Sequence, residues 1–425
     1  MIHKWTLESG ARLVVEDIPY LRSAALGVFI QVGSRNEPNE LAGASHFVEH
    51  MLFKGTPRMN TRQIAEAFEG MGGQLNAFTA KEFTCVYART LDEDIIQAMD
   101  IIFDMVFCSQ FSPQDFATEK GVVMEEINMY EDSPDDLIHD VFTRKLWEGH
   151  PMGMPILGTM DSITEMDRDQ LYQYYRQHYV PANMIVALAG NVDPREVYNK
   201  VNTIMNEHKV PPVQQEKKIP VANEPFIVLV PKEIEQVQIC IGTNSVSYHD
   251  EDRYTQNVLN SILGGGMSSR LFQRLREELG LAYSVFSSPG SYSDTGIFSI
   301  YIGTGQGKVL QFYEALYHEL QDIIDHGVSR AEVERTQKLI KSSIFLGLES
   351  AMNRMSRLAK SVLMFDEIIS PEAVIEKIYA VDEKKVHDYA VQILNPDKLS
   401  MAAIGDQKIL PAVQDGFIHW WGERS

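Results

Sequence analysis

The chain has 425 residues, 44% apolar and 23% charged, with a formal net charge of −21. That length is too great for one hydrophobic core and implies two or more domains, while the composition is that of a folded chain rather than a disordered one. The acidity argues against a nucleic-acid partner, whose phosphates need a basic surface, and favours cationic partners such as basic peptides.

No stretch approaches the roughly 20 uninterrupted apolar residues of a membrane span. The start, Met1-Ile2-His3-Lys4-Trp5, lacks the pattern of a signal or transit peptide. A cytoplasmic protein without a membrane partner is expected. Cys85, Cys108 and Cys240 lie far apart and form no C-x-x-C pair, so they read as buried thiols rather than a disulfide framework or a thiolate metal site.

Taken in chain order, the elements occur twice. A strand pattern at 25–32 has a counterpart at 236–243, and a helix at 41–53 has one at 254–263. β-rich stretches follow at 74–90 and 282–303, with turn residues between alternating apolar positions. Helical patterns come next at 92–106 and 308–324, where Met99, Phe103 and Phe107 have the spacing of core residues. Further helices open after Phe111-Ser112-Pro113 and Val328-Ser329-Arg330, and each half closes on a strand ending at Ala189-Gly190 or Ile404-Gly405. Between the halves, 209–225 carries four prolines and no sustained period, the pattern of a linker. The expectation is an α+β protein of two similar domains, each an antiparallel-rich sheet packed with helices, at 1–208 and 226–425.

The first-half helix carries His46-Phe47-Val48-Glu49-His50. At about 100° per residue, Leu41, Ala44, Phe47, Val48, Met51 and Leu52 share one broad face, and His46, Glu49 and His50 fall opposite. Two imidazoles at i and i+4 present nitrogens to one zinc, which in catalytic sites takes three protein ligands and leaves a fourth position for water. Glu49 is placed to remove a proton from that water during attack on a carbonyl. The third ligand must come from elsewhere, and the acidic helix 119–127 offers it. Glu119 and Glu126 are seven residues apart and share a face, so that one can bind metal while the other orients a histidine. Spacing alone does not separate Glu126 from Glu125.

H-F-V-E-H, followed after 75 residues by Glu126 within E-K-G-V-V-M-E-E-I-N-M, resembles the inverzincins, and specifically the pitrilysin and mitochondrial processing peptidase group. In size and two-domain repeat the chain resembles bacterial relatives of the processing peptidase β subunit. The resemblance implies a zinc metalloendopeptidase acting on short or unstructured peptides. It assigns His46, His50 and Glu126 as zinc ligands, Glu49 as general base and Glu119 as the carboxylate behind a ligand histidine. One zinc per chain is implied, with cobalt an acceptable substitute in such a site.

Two further patches match. Asn76-Ala77-Phe78-Thr79, with Glu82, Thr84 and Tyr87, resembles the family's edge strand, onto which a substrate peptide adds. Arg276 and Tyr283 have the spacing of an Arg–Tyr pair that reaches the substrate in this group, Arg276 holding its backbone and Tyr283 donating to the developing oxyanion. The glycines Gly264-Gly265-Gly266 are not a phosphate loop, because no Gly-Lys-Ser/Thr follows. His150, before Pro151 and near Gly153 and Gly158, reads as a turn residue rather than a ligand. In the second half no histidines occupy the matching helix and Ser343 stands where Glu126 would. That half keeps the scaffold without the metal, and the resemblance implies a homodimer in which a second copy supplies Arg276 and Tyr283. The competing expectation is a non-catalytic structural subunit, although relatives of that kind usually lack the metal motif.

Overall fold

The computed structural model describes residues 1–211 and 219–422, so part of the 209–225 stretch lies outside the described residues. The first half contains β1 (Ile2–Thr6), β2 (Arg12–Asp17), β3 (Ser23–Ile30), α1 (Ala44–Leu52), α2 (Thr61–Gly70), β4 (Gln74–Thr79), β5 (Thr84–Leu91), α3 (Ile95–Cys108), α4 (Pro113–Glu131), α5 (Pro134–Leu146), α6 (Met160–Glu165), α7 (Arg168–His178), β6 (Met184–Gly190) and α8 (Pro194–Glu207). The second contains β7 (Ile227–Pro231), β8 (Gln236–Ser245), α9 (Asp252–Leu263), β9 (Ala282–Ser291), β10 (Gly296–Gly305), α10 (Val309–His326), α11 (Arg330–Gly347), α12 (Ala351–Phe365), α13 (Pro371–Tyr379), α14 (Glu383–Ile393), β11 (Ser400–Gly405) and α15 (Leu410–Trp421).

Two sheets form, in the orders β1-β2-β6-β3-β5-β4 and β7-β11-β8-β10-β9. Apart from the extra β1, they have one topology. β2 and β6 are parallel, as are β7 and β11, and every other pairing is antiparallel. The protein is therefore α+β with two similar halves. No single helix among the described residues is long and apolar enough to cross a membrane.

In the first unit, alternate residues of β3 go to opposite faces of the sheet, as the two-residue period of a strand requires. Leu26, Val28 and Ile30 join the main core with Phe47, Val48 and Met51 of α1. Ala25 and Phe29 face the other way, onto Ala351, Met355, Leu358, Ala359 and Val362 of α12. Gly27 permits that approach, since a Cβ there would lie 2.5 Å from Met355 Sδ. With both faces covered, β3 is apolar almost throughout rather than alternating.

The second unit repeats the device. Val237, Ile239 and Ile241 of β8 join the core built with α9, α10 and α14. Cys240, with Ala402 and Ile404 of β11, faces Ile138, Phe142 and Leu146 of α5. Each sheet thus takes one cover helix from the other half of the sequence, and neither compact unit is a continuous stretch. The first holds Met1–Met129, the chain from Met154 through α8, and Phe345–Ile368; the second holds Tyr130–Gly153 and the remainder.

The helix expected from residue 41 begins at Ala44. Asn39–Leu41 is a short 3-10 turn, and Gly43 has φ +93°, a left-handed conformation that interrupts the helical track. A Cβ at Gly43 would also lie 2.6 Å from the Leu157 carbonyl oxygen. His150 sits in a turn, with its Nδ1 accepting from the Met152 amide at 3.0 Å. Cys85 and Cys240 are buried, Cys108 is half-buried, and all three are free thiols.

Candidate metal centre

Burial fixes which way α1 faces. Ala44, Ser45, Phe47, Val48, Met51 and Leu52 are buried, and Phe47 stacks on Phe116 of α4 at 5.0 Å. His46, Glu49 and His50 occupy the remaining arc. A helix start needs acceptors for its first amides, and Gly43 has no side chain to offer one. The acceptor is Glu37, whose two carboxylate oxygens take the Gly43 and Ser45 amides at 2.7 Å each. Ser45 Oγ in turn bonds Tyr174 OH at 2.8 Å. Glu37 is 4% exposed, and burial pushes its carboxyl up to about 7 against the pull of those two amides. The segment leading to Glu37 is tied down as well. The Arg35 amide bonds the Lys81 carbonyl at 2.8 Å, and the Arg35 guanidinium pairs with Glu82 at 2.7 Å.

From α4, Glu126 meets both histidines, its Oε2 lying 3.5 Å from His46 Nε2 and 3.3 Å from His50 Nε2. One donor atom from each of the three residues lies within 4.8 Å of the others. Two ligands held about 2.0–2.1 Å from a tetrahedral zinc lie about 3.3 Å apart. The observed separations and the N2O donor set therefore suit zinc or a similar divalent ion. Burial and the neighbouring His50 depress His46 to about 3, which leaves it neutral, the form in which imidazole ligates metal. Glu125 is exposed and not part of the cluster.

Glu119, one face of α4 with Glu126, is 5% exposed. Its Oε2 accepts from His50 Nδ1 at 3.1 Å, and its Oε1 pairs with Lys54 Nζ at 2.7 Å. The first bond directs His50 Nε2 towards Glu126. His46 lacks such support: its Nδ1 is buried without a hydrogen-bond partner, so no carboxylate behind the ring orients it.

Glu49 takes a hydrogen bond on Oε2 from Thr79 Oγ1 at 2.5 Å. Burial raises its carboxyl, opposed by the Thr79 bond and the nearby His50. Thr79 ends β4, the outermost strand of its sheet, which pairs only with β5 among the described residues, in the register Asn76 to Tyr87, Ala77 to Val86 and Phe78 to Cys85. Ala77 is buried, while Asn76 and Phe78 are exposed. The Phe78 ring leans on Phe83 and Tyr87 at 5.8 and 6.1 Å.

The structure gathers His46, Glu49, His50, Asn76–Thr79, Glu119 and Glu126 in the first unit. Arg276 and Tyr283 are in the second, paired with each other. Arg276 lies over the Tyr283 ring at 5.8 Å and over Phe272 at 4.8 Å, and Tyr283 is 78% exposed. Glu37, Lys54 and the Thr79–Glu49 bond are contributions that sequence reasoning missed. Lys54 had a usable signal, because it continues the four-residue spacing of His46 and His50. Glu37 had none.

A family model described as insulinase (peptidase family M16) matches residues 12–160, and one described as peptidase M16 inactive domain matches residues 165–340. A Bacillus subtilis protein named an uncharacterized zinc protease is 38% identical over 420 residues, spanning 97% of this chain and 100% of that one. A Streptomyces coelicolor protein of like name is 37% identical over 414 residues, spanning 96% and 90%. The fold matches a crystal structure described as a peptidase M16 inactive domain from Pseudomonas fluorescens, with TM-score 0.87, 19% identity and coverage of 96% and 98%. It also matches a protease from Helicobacter pylori, with TM-score 0.86, 20% identity and coverage of 95% and 99%. The chain belongs to peptidase family M16.

Proposed function

We propose that the protein is a zinc metalloendopeptidase that hydrolyses peptide bonds in short or unstructured peptides. The observation that carries this reading is the convergence of His46, His50 and Glu126 with Glu49 on the same helix face. These three residues would hold the ion, which when bound acidifies water and polarises a carbonyl. Glu49 is the base. Thr79 occupies its Oε2 and fixes the carboxylate plane, leaving Oε1 to take a proton from the attacking water and pass it to the departing amine. The new bond is water oxygen to carbonyl carbon, and the broken one is the C–N bond. Burial raises the Glu49 carboxyl above the usual carboxylate range, opposed by the Thr79 bond and His50.

The outer edge of β4 is the proposed peptide-binding edge, with Asn76–Thr79 adding the substrate as a strand that ends beside Glu49. Backbone pairing of this kind tolerates many sequences. Arg276 and Tyr283 are proposed as a substrate-holding and oxyanion-donating pair contributed by a second copy in a homodimer. The placement of Arg276 over the Tyr283 ring and the exposure of Tyr283 support a role facing a ligand.

The test is cleavage of a quenched fluorescent peptide by the purified chain alone, before and after chelation and after zinc is returned. Cleavage that disappears and is restored supports the reading. Cleavage indifferent to the chelator overturns it, and absence of both cleavage and zinc affinity supports a non-catalytic subunit instead.

A further inference from the structure

Glu119 is a carboxylate in the buried stripe of a helix. On α4 the core-facing positions are Phe116, Glu119, Val123 and Ile127. An ionised carboxylate is tolerated in such a place only when paired and hydrogen-bonded. His50 supplies a hydrogen bond to Oε2, and the cation is Lys54 on Oε1.

Lys54 reaches that oxygen because of where it stands. His46, His50 and Lys54 recur every four residues, so they form one ladder along the same side of the helix. Although α1 ends at Leu52, the Phe53 and Lys54 amides still bond the His50 and Met51 carbonyls at 3.2 Å each, which keeps Lys54 close to the helical track. Glu126 and Glu119, two turns apart on α4, form the facing ladder. Glu126 lies against His46 and His50, and Glu119 lies against His50 and Lys54. A cation just past a helix C-terminus is also favoured by the helix dipole.

We infer that Lys54 is a positioning residue for the metal centre: by holding Glu119 through Oε1 it turns Oε2 onto His50 Nδ1, directs His50 Nε2 to the metal and keeps Glu119 out of the ligand set. This rests on the reading of His46, His50 and Glu126 as ligands. Without the lysine, Glu119 would be a buried carboxylate held only by an imidazole, free to turn towards the cation it now only supports at second hand.

The test measures zinc affinity by chelator competition and thermal stability of the metal-free protein, on the full chain. Lys54→Met should bind zinc roughly 10–100-fold more weakly when both proteins are compared well below the melting temperature of their metal-free forms, which the loss of one partner of a buried pair lowers in the variant, and Lys54→Arg should keep most of the affinity. In a Glu119→Gln background, Lys54→Met should add little, since its partner charge has gone. Wild-type affinity in Lys54→Met overturns the inference, as does simple additivity of the two losses. Should Lys54→Met not fold, Lys54→Gln carries the same criteria. If the wild type itself has no zinc affinity, the ligand assignment fails; if only Lys54→Met is indistinguishable from it, the positioning role alone fails.

Discussion

Thr79 Oγ1 donates to Glu49 Oε2 at 2.5 Å, which joins the last residue of an edge strand to the proposed catalytic base. The bond stabilises the ionised carboxylate and sets its plane. Thr79→Val should lower kcat/KM by roughly 10-fold, the scale of one hydrogen bond to a charged group, with zinc affinity unchanged. Steady-state kinetics alongside chelator competition would check this, and a loss of zinc in step with activity would contradict it.

Glu37 links the start of α1 to pH. Burial raises its carboxyl to about 7 in the folded protein, against about 4.3 in an unfolded chain. The folded state holds that proton more tightly, so the associated stability is fully present below about 4.3 and is lost as pH rises through about 7. Over that window the loss is about 3 kcal/mol. Urea unfolding of the metal-free wild type and of Glu37→Gln should show their stability difference shrinking by about that amount from pH 4.5 to 7.5. A pH-independent difference would contradict the assignment.

Phe142 is in the first half of the sequence but fully buried against Phe226 in the second unit, with ring centroids 5.3 Å apart. Phe142→Ala should destabilise the protein by about 3–5 kcal/mol, the usual loss for a large buried aromatic. Urea unfolding followed through the buried Trp147, in the same cluster, would report it. A change below about 1 kcal/mol would show that α5 is not a true part of that core.

Tyr283 presents an exposed hydroxyl beside Arg276. Tyr283→Phe removes only that hydroxyl, so kcat should fall roughly 100-fold, as for loss of an oxyanion donor, with zinc affinity intact. Unchanged kcat would remove Tyr283 from the oxyanion role.

How much of this was legible in the sequence depends on the range of each interaction. The face of His46, Glu49 and His50 followed from helical period alone, because α1 is short and one side is buried. The two-sheet repeat was readable for the same reason, since alternation and period are local. Gly43 shortened the expected helix because it takes a left-handed φ, and the Leu157 carbonyl that leaves no room for a Cβ there is a distant neighbour in sequence. The helices holding Phe142 and Met355 were not read from the sequence, and no local pattern states which sheet receives their buried faces. Glu126 could not be told from Glu125 by spacing; the structure buries one partly and leaves the other exposed. Glu37 was invisible because its partners are backbone amides.

The most direct measurement takes Glu49→Gln and reads zinc content and peptide turnover in the same sample. The substitution keeps the shape of the side chain and removes its capacity to accept the proton. One zinc per chain, with turnover reduced by at least roughly 100-fold, is the predicted result for loss of a general base. Zinc retained with wild-type turnover would contradict the account.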